Sequence, residues 1–253
     1  MIRTDLHLHT TYGDGRNTPE EMVISAVSKG MECIGFSEHS SVPFDLHEGM
    51  TGDNVRKYID EISELKEKYR GRIEILCGIE LDYYSEQDVS EFDYVIGSVH
   101  YLKKNGVFFA VDDKPEILEQ AIADLYKGDT LSLAEDYFNA VSNVVEKSGA
   151  DIIGHFDLIT KFAEKEMEIK TDDPKYIDAW QHAADRLLPF GKYFEINTGA
   201  VSRGWRSFPY PDIRIIDYIR QRGGRFILSS DSHSADTIAF GFEKYEYLLQ
   251  DVK

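Results

Sequence analysis

The sequence predicts an α/β fold, a distorted or incompletely closed seven-stranded (β/α)7 barrel of the TIM-like kind. Three observations predict it. Seven short runs rich in Ile, Val, Phe or Leu alternate with longer segments of helical period, the pattern of a mostly parallel sheet. Six of the eight histidines sit in short polar steps just after those runs, at the strand ends where barrel sites gather. Seven strands are one short of a regular eight-stranded barrel, so closure is expected to be imperfect.

The first run, 2–6, leads into Asp5-Leu6-His7-Leu8-His9. Thr18-Pro19-Glu20-Glu21 then supplies a capping hydroxyl, a first-turn proline and two acids, and predicts a helix to about Lys29 with Gly30 as its stop. Run 33–37 ends at Glu38-His39. Residues 53–69 place Val55, Tyr58, Ile59, Ile62, Leu65 and Tyr69 at helical spacing. Run 73–79 leads to Glu80 and run 93–99 to His100. Segment 101–131 is the least regular. It carries Lys103, Lys104 and Asp112-Asp113, and reads either as a wall or lid over the site or as an exposed loop before a helix. Helical segments 115–126 and 131–148 follow, then run 151–154 leading to His155. Helix 173–189, strand 193–197, helix 212–222 and strand 225–230 lead to Asp231-Ser232-His233.

Composition narrows the class. A chain of 253 residues with 42% hydrophobic and 29% charged content reads as a soluble globular protein. No run approaches the roughly 18 apolar residues needed to span a bilayer. The opening MIRTDLHLHT has no basic segment followed by an apolar one, so no secretory leader is expected. Cys33 and Cys77 lie in apolar runs and read as free core thiols, consistent with a cytoplasmic location. A net charge of −18 repels phosphate backbones, so nucleic acid is not an expected partner, while a small phosphorylated substrate remains compatible. No linker, repeat or low-complexity stretch divides the chain, and 1–253 reads as one domain. The sequence does not indicate an oligomeric state.

Imidazole and carboxylate together suit zinc, iron and manganese. Alternate strand residues share a face, so His7 and His9 can reach one metal. So many such residues at strand ends predict a cluster of metals rather than one structural ion.

The motifs DLHLHT (5–10), SEHS (37–40), GIELDY (78–83), GSVHYL (97–102), GHFDLI (154–159) and SSDSH (229–233) resemble, in order and separation, those of the polymerase and histidinol phosphatase (PHP) superfamily. The resemblance spans nearly the whole chain. It implies a distorted seven-stranded barrel holding up to three divalent metal ions (Zn, Fe or Mn). It further implies that His7, His9, Glu80 and Asp231 hold one metal, and that Glu80 bridges to a second on His100 and His155. Asp14, His39 and His233 would hold a third. Asp14 lies in TYGDGR, where a loop Asp could instead make a turn.

Two metals sharing Glu80 can share a hydroxide, which would attack a bound phosphate in line without a covalent nucleophile. Asp231, His233 or metal-bound water would protonate the leaving group. Neither cysteine has an arginine six residues on, no Asp-x-Asp follows a strand and there is no Arg-His-Gly, so other phosphatase chemistries lack their residues. The segment EINTGAVSRGWRSFPYP (195–211) brings Arg203 and Arg206, and GHFDLIT is followed by Lys161. These three are the candidate phosphate-binding cations, against the reading of ordinary exposed charges. Asn197 would orient the loop or a ligand, and Trp205 would pack on substrate or brace the loop. His182 reads as a solvated helix residue and His47 as a loop residue.

GHFDLI together with NTGAVSRG…PYP resembles the stand-alone histidinol-phosphatase branch, which implies hydrolysis of L-histidinol phosphate to L-histidinol and phosphate in histidine biosynthesis. Two alternatives remain. One is a phosphoesterase acting on nucleotides, sugar phosphates or nucleic-acid ends. The other is a non-catalytic metal-binding accessory module.

Overall fold

The computed structural model describes residues 2–45 and 49–250. His47 lies outside the described residues. Seven parallel strands form one sheet: β1 (Thr4–Leu8), β2 (Cys33–His39), β3 (Glu74–Asp82), β4 (Tyr94–Ser98), β7 (Ile152–Ile153), β8 (Tyr193–Asn197) and β9 (Arg225–Ser229), in that spatial order. Between β4 and β7 an antiparallel hairpin, β5 (Tyr101–Lys104) and β6 (Val107–Ala110), stands apart from the sheet. Helices α1 (Pro19–Ser28), α2 (Gly52–Lys68), α3 (Pro115–Tyr126), α4 (Thr130–Ser142), α5 (Val144–Ser148), α6 (Pro174–Leu187), α7 (Gly199–Ser202), α8 (Ile213–Gln221) and α9 (Phe242–Tyr245) complete the chain.

Local chemistry sets several of these boundaries. The Thr18 hydroxyl accepts from Glu21 N while the Glu21 carboxylate accepts from Thr18 N, a reciprocal cap with Pro19 in the first turn. Asp129, Asp173 and Asp212 cap α4, α6 and α8 in the same sense. The helix expected over 131–148 is two helices, broken at Asn143. Segment 101–131 holds the hairpin and α3 rather than a loop, and Tyr101, Ala110, Asp112 and Asp113 form a wall of the central cavity.

The sheet rolls until its edges meet, but the seam between β1 and β9 is short. Backbone pairing there is confined to the mouth, where His9 N donates to Ser232 O (2.9 Å) and Ser232 N to His7 O (3.1 Å). Below this, the buried Asp5 carboxylate takes the place of a ladder. It accepts from Ser230 N (3.0 Å), Ser230 Oγ (2.5 Å) and Ala239 N (2.9 Å). This is the imperfect closure expected of seven strands.

The bore is plugged beneath the mouth. Tyr94, Ile96 and Ile152 pack with Leu6, Leu76 and Ile227. The Tyr94 hydroxyl lies 2.6 Å from Leu6 O and 3.1 Å from Phe36 O, which satisfies its polar end in an apolar place. Gly35 and Gly78 make room for it, since a Cβ at either would run into the Tyr94 ring. A bulge in β1 lets the wall change character above this plug. The register passes from Asp5↔Ile34 to Leu8↔Phe36, so two residues, Leu6 and His7, oppose one, Gly35. Leu6 therefore packs in the bore, His7 and His9 reach the mouth, and Leu8 joins the outer core with Met22, Val23, Tyr58 and Ile62 of α1 and α2. On the far side Phe138 of α4 packs edge-on against Tyr176 of α6, with ring centroids 5.3 Å apart.

Asp5→Ala should strip the buried Ser230 N–H and the half-buried Ala239 N–H of their acceptor. Each such loss costs about 1–3 kcal/mol. Thermal unfolding should show a fall in Tm of several degrees; an unchanged Tm would mean that the Asp5 seam does not hold the barrel closed.

Candidate metal centre

Glu80 stands at the centre of the mouth and is 1% exposed. Its Oε1 accepts from Ser98 Oγ (2.7 Å) and lies 2.7 Å from His155 Nε2 and 3.2 Å from His100 Nε2. Its Oε2 lies 2.9 Å from His39 Nδ1, 3.3 Å from His7 Nε2 and 3.7 Å from His9 Nε2. Five imidazoles thus converge on one carboxylate. They come from β1 and the residue just past it, the end of β2 and the turns after β4 and β7.

Asp231 forms the second focus. It follows β9 with φ +49°, a left-handed conformation that Asp tolerates better than most residues. Asp231 Oδ1 lies 3.4 Å from His9 Nε2 and 3.6 Å from His233 Nδ1. Its Oδ2 accepts from Arg203 Nη2 (3.1 Å) and Asn197 Nδ2 (3.3 Å). Asp14 makes the third focus, 3.0 Å from His233 Nε2, 3.8 Å from His9 Nδ1 and 3.9 Å from His39 Nε2. The His9 ring stacks against those of both His233 and His39, with centroids 4.2 and 4.4 Å away.

All nine residues expected as ligands therefore meet at one end of the barrel. Their grouping differs in detail from the expected three sets. His9 sits with Asp14, His39 and His233 as closely as with His7 and Glu80, and His39 also groups with Glu80 and His100.

The electrostatics favour a cation. Burial works against the imidazolium at His7, His39 and His100, but nearby carboxylates outweigh it. Glu195 and Glu80 raise His7, and Glu80 raises His39 to about 9 and His100 well above the usual range. His9 is buried and faces His233 and His39, which lowers it to about 3. Burial likewise opposes ionisation of Glu80 and Asp231, yet His7 and His100 hold Glu80, and Arg203 and His7 hold Asp231, well below the carboxylate range. Several buried lone-pair atoms, His7 Nε2, both His9 nitrogens and His155 Nδ1, have no hydrogen-bond partner among the described residues. An unmet buried polar atom costs about 1–3 kcal/mol, so convergence of several in one place fits occupation by metal ions.

A supporting layer escaped the sequence analysis. Glu195, fully buried in β8, accepts from His7 Nδ1 (2.6 Å), His155 N (2.8 Å) and Asn197 Nδ2 (3.0 Å). Held this way, His7 turns Nε2 towards Glu80 and Asp231. Asp82 accepts from His100 N (2.9 Å) and lies 3.5 Å from His100 Nδ1. Glu38 accepts from Thr10 N and Oγ1 and so fixes the turn after His9. The sequence signal was a lone acid inside an apolar strand, as in YFEIN, because a buried carboxylate needs partners.

The mouth opens into a cavity of about 280 Å³. Lys161 and Arg203 line it, as does His233. The loop carrying Arg203 leaves and returns at one point, because Asn197 and Tyr210 exchange backbone hydrogen bonds of 2.8 and 3.0 Å. Asn197 Oδ1 also accepts from Gly199 N, so this residue does orient the loop. Arg206 departs from expectation. It is not among the residues lining the cavity; its side chain is 7% exposed and bonds Thr160 Oγ1 and Phe208 O, with Asp157 at 3.7 Å. Those partners draw it into the wall behind Lys161. Trp205 braces the same loop edge-on against Phe162, with ring centroids 5.1 Å apart. His182 is exposed on α6, and both cysteines are free thiols, but only Cys77 lies in the core, Cys33 being half-buried at the start of β2. No helix among the described residues is long and apolar enough to cross a membrane.

The chain is 31% identical to a probable histidinol-phosphatase of Deinococcus radiodurans, over 98% of this chain and 93% of that one. It is 23% identical to the histidinol-phosphatase of Bacillus subtilis, over 97% and 98%. A solved chain from Listeria monocytogenes, described as a candidate histidinol phosphatase, superposes with a TM-score of 0.85 at 20% identity, covering 96% of this chain and 99% of that one. The histidinol phosphate phosphatase of Lactococcus lactis, solved with zinc, L-histidinol and phosphate, gives 0.74 at 23% identity, covering 98% and 92%. The fold is therefore that of these phosphatases. The PHP domain model matches residues 5–199, and with a match of that extent this chain belongs to the PHP domain family.

Proposed function

We propose that the protein is a metal-dependent phosphomonoesterase that hydrolyses L-histidinol phosphate to L-histidinol and phosphate. Residues 1–253 would act as a single catalytic domain in the cytoplasm. The observation that carries this reading is the Glu80 carboxylate under five imidazoles, facing a small cavity that also presents Lys161 and Arg203. The full-length likeness to histidinol-phosphatases supports the substrate.

Up to three divalent ions, zinc, iron or manganese, would be held here. His7, His9, Glu80 and Asp231 would hold one, Glu80, His100 and His155 a second, and Asp14, His39 and His233 a third. When bound, such ions lower the pKa of water and neutralise phosphate charge. The chain's own groups do the rest. Lys161 and Arg203 bind phosphate oxygens, and the Arg203 fork is set in place by Asp231 O (3.0 Å) and Oδ2 (3.1 Å). Glu195 and Asp82 hold the His7 and His100 rings in orientation. Tyr101 and Ala110 of the β5–β6 hairpin form part of the cavity wall. The Asp231 carboxyl, held ionised, is a poor proton donor. Arg203 and His7 keep it so.

Phosphate release from L-histidinol phosphate by metal-reconstituted protein tests the reading, beside p-nitrophenyl phosphate and a nucleoside monophosphate. A kcat/KM of about 10⁴ M⁻¹s⁻¹ or more, well above the others, is expected. Faster turnover of the nucleotide would assign another substrate. Glu80→Gln replaces the shared charge with an amide, and metal content and kcat should fall together, kcat by roughly 100-fold or more. Retention of full metal content with full activity would remove Glu80 from its central role. Lys161→Met should raise KM by about tenfold, the scale of one charge-assisted contact, without loss of metal. An unchanged KM would take Lys161 out of the phosphate site.

A further inference from the structure

The cavity wall carries a feature that phosphate binding alone does not explain. Lys161 Nζ donates to Asp112 O (2.5 Å) and to Asp112 Oδ2 (3.2 Å), and both side chains line the cavity. Neither group is free in solvent: the side chains are 14% and 22% exposed. Asp113 lines the same wall. Glu80, Asp231 and Asp14 line the same cavity as residues that would hold metal ions, but Asp112 is outside that set. A carboxylate with no metal to neutralise it disfavours a bound anion at close range. Here a carboxylate is tied to the cation expected to receive phosphate.

We propose that Asp112 is the specificity residue of this site. It selects phosphate monoesters that also carry a protonated amine close to the phosphate. This rests on the phosphatase reading above. The Lys161–Asp112 pair is then a placeholder with the polarity of the substrate. When a zwitterionic phosphoamine enters, its phosphate takes Lys161 and its ammonium takes Asp112, so both partly desolvated charges exchange one partner for another. A phosphate ester without an amine also takes Lys161, but it leaves Asp112 unpaired beside a dianion. A site built to pair a polar group rejects the analogue lacking that group far more strongly than a merely apolar site would. Val42, Ala110 and Leu158 also line the cavity and supply apolar contact for the remainder of the molecule.

The test compares two substrates on one enzyme: L-histidinol phosphate and its amine-free analogue, 3-(imidazol-4-yl)propyl phosphate. Wild type should prefer the amine-bearing ester by at least tenfold in kcat/KM. Asp112→Asn, which keeps the shape and removes the charge, should shrink that preference at least tenfold, and Asp112→Glu should restore part of it. Each ratio is taken within one preparation, so a partly folded variant does not distort it. A preference that persists in both Asp112→Asn and Asp112→Ala would overturn the proposal, as would a wild type indifferent to the amine. If wild type fails to hydrolyse either ester while turning over p-nitrophenyl phosphate, the substrate reading fails instead.

Discussion

The molecule is organised around one buried carboxylate. Placing Glu80 in a 1% exposed position costs far too much unless its charge is met. The chain meets it with imidazoles drawn from four strands or strand ends. Each imidazole must in turn be aimed, and that requirement reaches outward to Glu195 behind His7 and Asp82 behind His100. Four strands cannot deliver side chains to one point unless the sheet curls, so the barrel and the acidic centre depend on each other.

The curl has its own weak place. Seven strands leave β1 and β9 joined by backbone only at the mouth, and Asp5 supplies the remaining bonds from its side chain. The bulge in β1 lies just above Asp5 and brings His7 and His9 to the mouth while Leu6 stays in the bore. Tyr94 closes the floor beneath them. The same strand therefore seals the barrel, fills its bore and furnishes two of the clustered histidines, within five residues, Thr4–Leu8, and the turn that follows.

Much of this was legible in the sequence, for a physical reason. A histidine just past an apolar run is already at the mouth once the run is a parallel strand, so His7, His39, His100, His155 and His233 declared their common destination. Strand 193–197 and helix 115–126 are found with those bounds because turn residues and a proline frame them. What was not legible depends on distant partners. Glu195 looks like an ordinary strand acid until His7 is folded against it, 188 positions away. Arg206 reads as a loop cation, yet Thr160, 46 positions away, and Asp157 bury it. The first strand lies at Thr4–Leu8 rather than 2–6 because the bulge lets His7 remain in the strand, where the polar step read as its end. The hairpin at 101–110 was hidden because its pairing is local and does not join the sheet's alternation.

The central claim is that Glu80 is shared within a multinuclear centre. Anomalous diffraction from crystals of the manganese- or zinc-loaded protein tests it most directly. The account predicts at least two metal peaks per chain, with the Glu80 carboxylate ligating both of two neighbouring ions. A single ion, or two ions with Glu80 still bonded only to imidazoles and Ser98, would contradict it.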